Sequence, residues 1–91
     1  MSGIVAVIVK VMPSSLDVSL EGLKGKCKKV LEKEGGQNVS FEVREIAFGL
    51  KALMVKLAWP EEKETELIIE GLKKVKGVSE VDIVDYRREF G

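Results

Sequence analysis

The chain has 91 residues, no histidine, a single cysteine (Cys27), and 15 basic side chains against 15 acidic ones, so its formal charge is zero. This inventory excludes a zinc site, a Ser-His or Cys-His nucleophile pair and a disulfide framework, so neither a metal nor a covalent catalytic residue is expected. Charge balance also removes any global field that would draw the protein to nucleic acid or to an anionic membrane, so charged contacts must be local.

A chain of this length buries only about 60 to 65% of its unfolded surface, so residues 1–91 are expected to form one domain with one thin core. Met1 to Met12 is apolar but has no basic start, and it is too short for a signal core followed by a cleavage site. No run approaches the roughly 18 apolar residues that span a bilayer. A soluble, cytoplasmic protein is expected.

Residues 4 to 12 are mostly β-branched, with Val5, Val7, Val9 and Val11 on one face and Ile4, Ala6 and Ile8 on the other. A strand apolar on both faces belongs in the middle of a sheet. Pro13-Ser14-Ser15 breaks it. Leu20, Leu23, Cys27, Val30 and Leu31 then recur at helical spacing, predicting an amphipathic helix over residues 17–34, closed by Gly35-Gly36. Gly22 and Gly25 lie on its outer side, where core packing does not account for them; close approach of a partner and neutral drift are both open readings. Cys27 reads as a small core hydrophobe.

From Asn38 the period changes to two, with Val39, Phe41 and Val43 alternating with Ser40, Glu42 and Arg44, as on an edge strand with one wet face. Beyond Phe48-Gly49, Leu50 to Trp59 is apolar on both faces except for Lys51 and Lys56, which predicts a second central strand. Trp59 either caps the core at the strand end or joins a contact surface. Pro60-Glu61-Glu62 predicts a helix start, with acids near the positive end of the dipole. Its buried stripe is Ile68, Leu72 and Val75, and Gly71 lets it approach the sheet. Gly77 ends it, and a last strand follows from Val78 to Tyr86. The resulting string is βαββαβ. Two right-handed crossovers joined by a hairpin give an α+β, ferredoxin-like split βαβ sandwich: a four-stranded antiparallel sheet of order 4-1-3-2 with two helices on one face.

Several functions that share this architecture fail on inventory. Met12 to Asp17 contains no basic residue for a phosphate cradle, the first strand has no aromatic for stacking RNA bases, and Cys27 has no second cysteine for metal transfer. What stands out is Glu45 to Leu53, which carries Phe48 and Gly49 where a hairpin usually has polar turn residues. On local grounds Phe48 is either an exposed contact or a ring folded back over the sheet edge.

The Ala47-Phe48-Gly49-Leu50-Lys51 segment resembles the aromatic-glycine-aliphatic-basic signature of the exchange domain of elongation factor 1-beta. The resemblance runs end to end, through Ile4 to Pro13, Leu16-Asp17-Val18 and Gly77-Val78-Ser79-Glu80-Val81 to Arg87-Arg88, and it is strongest to the short archaeal form of that family. It implies a guanine-nucleotide exchange factor that acts without covalent chemistry on elongation factor 1-alpha during translation. It also implies that Phe48 lies on the surface facing the G protein, that Gly49 shapes the turn, and that Lys51 is the basic residue after the motif. Eukaryotic relatives end on a functional basic residue; Arg87 and Arg88 stand at a different offset, either supplying that group or forming a solvated pair. If they supply it, the last strand should stop near Tyr86 and leave both arginines at the same sheet end as Phe48. No cofactor is expected, nor any nucleotide, nucleic acid or membrane bound by this chain. The runner-up is a ferredoxin-like module that binds a small regulatory molecule, and a plain interaction domain is a third class.

Overall fold

The structure is a computed structural model, and it describes residues 3–89. Its elements are β1 (Ile4–Pro13), α1 (Leu20–Lys33), β2 (Gln37–Ala47), β3 (Leu50–Pro60), α2 (Glu66–Lys73) and β4 (Val78–Glu89). The strands form one sheet of order β2-β3-β1-β4, every neighbouring pair antiparallel. This is the ferredoxin-like arrangement, with the two doubly apolar runs at its centre.

Register explains why both faces of those runs are apolar. Val5, Val7, Val9 and Val11 pair across β1–β3 with Trp59, Leu57, Val55 and Leu53, and all eight are 0–2% exposed beneath the helices. Leu23, Cys27 and Leu31 from α1, Ile68 and Leu72 from α2, Val75 just after α2, and Val81 from β4 complete that core. Ala6, Ile8, Ala52 and Met54 point the other way, to the face without helices, where Ala52 and Met54 are nonetheless buried. Among the described residues no helix is long and apolar enough to cross a membrane.

The helix boundaries differ from the sequence expectation. α1 starts at Leu20, because the Ser19 hydroxyl caps it by accepting from the Gly22 N–H at 3.2 Å. Ser14 to Val18 is a pinned loop: Ser14 N–H donates to the Gly77 carbonyl at 2.8 Å, and Val18 packs against Gly77. α2 starts at Glu66 rather than at Pro60, since Pro60 still pairs with Ile4 and closes β3. The intervening residues are tied down by Trp59, whose indole N–H donates to the Lys63 carbonyl at 3.1 Å, and by the Lys63 ammonium, which donates to the Glu34 carbonyl and lies 5.7 Å from the Trp59 ring centroid. Glu61 to Glu64 is therefore a fastened loop, not a solvated helical turn. Gly71 approaches α1 rather than the sheet, since a Cβ there would stand 2.9 Å from Val30 Cγ1.

β4 also carries an extra residue. Ile8 faces Asp85 while Val9 faces Ile83, so Val84 is a bulge. One inserted residue reverses the alternation beyond it. Tyr86 and Arg88 consequently share the helix side with Val7 and Val5, and Arg87 takes the open side with Ala6.

Candidate functional site: the hairpin tip

β2 and β3 are joined by two residues, Phe48 and Gly49, with φ of +53° and +78°. Left-handed backbone at both central positions is the two-residue hairpin turn whose twist matches the strands, usually written Asn-Gly or Asp-Gly. Gly49 meets that requirement without cost. Phe48 does not, because a Cβ in this region costs roughly 1–2 kcal/mol. The ring gains nothing from the fold in return, as the residue is 99% exposed. An aromatic held in strained backbone with no internal contact is the kind of outlier that points to function. The reading in which Phe48 folds back over the sheet edge is ruled out.

Apolar exposure continues around the tip. The register shift between Glu45 and Ala47 sets Ile46 in a bulge, half exposed, and Val43 lies nearby on the same strand. Lys51 stands opposite Glu45, on the side that leads to Leu53 and the helices. There it lines a cleft of about 450 Å³ together with Gly49, Leu16 and Leu20. Leu16 is exposed at 68% and sits across that cleft from the hairpin. The sequence reading missed its part in this surface, although an aliphatic residue inside a Pro-Ser-Ser-Asp loop was a usable signal.

Phe48, Gly49 and Lys51 are thus brought together, whereas Arg87 and Arg88 are not. β4 continues to Glu89, past the expected stop at Tyr86, and its end pairs with the start of β1: Arg88 faces Val5, and Arg87 faces Ala6. The hairpin tip projects past the other end of β1. The part of β3 from Leu50 to Trp59 separates the two positions, about 30 Å at roughly 3.3 Å per residue. Each arginine also has a carboxylate partner at 3.0 Å: Arg87 Nε with Asp85 Oδ2, and Arg88 Nη2 with Glu61 Oε1. The expected shared footprint at one sheet end is therefore corrected to two patches at opposite ends, held by short exposed ion pairs.

The chemistry on offer at the tip is an aromatic ring, aliphatic side chains, the Lys51 ammonium and the Glu45 carboxylate opposite it, a set that suits recognition of a protein surface. The nucleophile farthest from this surface in character is Cys27, fully buried, its thiol pushed up to about 11 by desolvation. It is a core residue.

Comparison with known proteins identifies the family. A family profile described as the EF-1 guanine nucleotide exchange domain matches residues 6–88, which include every candidate above. Elongation factor 1-beta of Staphylothermus marinus is 41% identical over 87% of this chain and 89% of its own length. The protein of the same name from Ignicoccus hospitalis is 43% identical over 92% and 90%, and that from Methanosarcina barkeri 42% over 94% and 98%. Identity at this level over most of the chain, together with the profile match across residues 6–88, places the chain in the EF-1 guanine nucleotide exchange domain family.

Proposed function

We propose that this chain promotes exchange of GDP for GTP on elongation factor 1-alpha in the elongation phase of protein synthesis, with residues 1–91 working as a single exchange domain. The observation that carries the reading is Phe48, a ring presented to solvent from a strained turn within a matched exchange domain. The action is non-covalent. An exchange factor that binds the nucleotide-free G protein more tightly than the GDP-bound form weakens nucleotide binding by the same factor, by linkage. The hairpin tip, through Phe48, Gly49 and Lys51, forms one contact, and Arg87 and Arg88 form a second about 30 Å away along the sheet. A partner touching both must extend along the whole length of the domain. The nucleotide and its Mg²⁺ stay with the G protein, and this chain contacts neither nucleic acid nor membrane. It acts in the cytoplasm.

A small-molecule module would need a ligand site on the open sheet face. The depressions there are about 250 to 270 Å³ each, smaller than the roughly 300–1,000 Å³ of ordinary ligand pockets. The test is release of fluorescent GDP from elongation factor 1-alpha, expected to accelerate with substoichiometric amounts of this protein. Calorimetry with free GDP or GTP should show no binding; micromolar affinity for either would overturn the proposed division of labour.

A further inference from the structure

Of the exposed large hydrophobic side chains among the described residues, Phe48 at 99% and Leu16 at 68% are the most exposed, and the next, Val84, reaches only 50%. The two are distant in sequence, yet both stand at the same end of the molecule. Gly49, directly after Phe48, shares with Leu16 and Leu20 the lining of the cleft between the hairpin and the start of α1.

Leu16 does not protrude because its loop is loose. Ser14 N–H donates to the Gly77 carbonyl at 2.8 Å, Val18 N–H to the Ser15 carbonyl at 3.3 Å, and Asp17 N–H to the Ser15 hydroxyl at 3.3 Å. Val18 fills the space beside Gly77, where a Cβ would come within 3.1 Å of its methyl group. The loop is thus anchored on both sides of Leu16, and the leucine is displayed. The cleft has one cation on its hairpin wall, Lys51, with no carboxylate within 4.0 Å among the described residues. Glu21 on the helix wall is already engaged by Lys24 at 3.1 Å. An apolar floor with a cation at its edge, not ion-paired although Glu45 stands opposite it across the hairpin, fits a protein surface that brings an apolar side chain next to a carboxylate.

We propose that this cleft is a second grip of the exchange surface, in which Leu16 packs on an apolar side chain of the G protein while Lys51 meets an adjoining carboxylate of the same segment. The proposal rests on the exchange reading above and adds to it a pocket and a residue. Continuity selects the occupant: because the cleft wall begins at the residue after Phe48, a surface that seats the ring is adjacent to the cleft.

The experiment follows GDP release from elongation factor 1-alpha while the concentration of full-length exchange protein is varied. Leu16→Ser should raise the half-saturating concentration about tenfold or more, as loss of an apolar anchor does. Its melting temperature should stay near that of the wild type, since surface substitutions shift stability by about 0.5 kcal/mol at most. Leu67→Ser on α2, outside the cleft, should behave as wild type, and Leu16→Met, which keeps the apolar volume, should lose far less than Leu16→Ser. Lys51→Gln should weaken binding at low salt and flatten its salt dependence. Unchanged half-saturation in Leu16→Ser while Phe48→Ala is impaired would overturn this proposal and leave the exchange reading standing. Absence of any acceleration by the wild type would remove both. A dimer of the protein alone that sediments as a monomer once Leu16 is replaced would show that a second copy fills the cleft, which also overturns the proposal.

Discussion

Replacement of Phe48 by Asn separates what this residue does for the fold from what it does for the partner. In the fold it sits at φ +53° with its side chain in water, so its ring supplies no buried area and its Cβ sits in a region that costs L-residues roughly 1–2 kcal/mol. Asn tolerates left-handed backbone far better and is the residue this turn type ordinarily uses. Phe48→Asn should therefore stabilise the protein by about 1 kcal/mol, which for a domain of this size raises the melting temperature by roughly 4–8 °C. Exchange should move the opposite way. Truncation of a central aromatic anchor commonly costs about 2 kcal/mol or more of binding, close to a 30-fold loss. Thermal unfolding by circular dichroism and GDP release from elongation factor 1-alpha report the two effects on one sample. A fall in melting temperature would mean that the ring supports the hairpin after all, and retained exchange would mean that it is no anchor.

Double replacement of Arg87 and Arg88 by Ala should change stability by less than about 1 kcal/mol, because exposed ion pairs contribute little. It should nonetheless slow GDP release several-fold at low salt, with the difference from wild type shrinking as screening lengths fall to about 8–10 Å. Gly71→Ala sets a helix-propensity gain of about 1 kcal/mol against overpacking of about 1–3 kcal/mol, since the new methyl meets the stiff Val30 side chain at 2.9 Å. Net destabilisation is expected in chemical denaturation, and it should be relieved in the Gly71→Ala/Val30→Ala double variant. The Cys27 thiol binds its proton more tightly in the folded protein than in the unfolded chain, so its contribution to stability is complete below about pH 9 and is lost as pH rises toward about 11. Wild type should lose stability across that window more steeply than Cys27→Ala, and native Cys27 should resist thiol reagents at neutral pH.

The sheet was legible in the sequence because its central strands carry a signal that has few other causes. Val5 to Val11 and Leu53 to Trp59 are apolar on both faces except for Lys10 and Lys56, and strands flanked on both sides, under helices on one face, need that. Phe48 stood out because it breaks the turn chemistry of its own segment. Helix starts were harder, since they depend on partners remote in sequence: the loop after Pro60 is fixed by Lys63 reaching the end of α1, which no local pattern reveals. The direction of Arg87 and Arg88 depends on the single extra residue at Val84, invisible as periodicity because a bulge only reverses parity. Their location at the far end of the sheet was within reach of topology alone. A last strand antiparallel to β1 finishes beside the start of β1, and the hairpin turn lies past its other end.

β3 pairs with β1 only as far as Leu53, while Leu50, Lys51 and Ala52 pair with β2 alone. The tip that carries Phe48 is therefore a two-stranded ribbon projecting past the sheet, and such a ribbon is only marginally stable by itself. Its amides should exchange with solvent through local opening at a small fraction of the free energy that protects Val55 or Val9. On the proposed exchange reading, docking through Phe48 has to order this two-stranded ribbon. Part of the gross contact energy would then be consumed in that ordering, which favours a complex weak enough to part once GTP has entered.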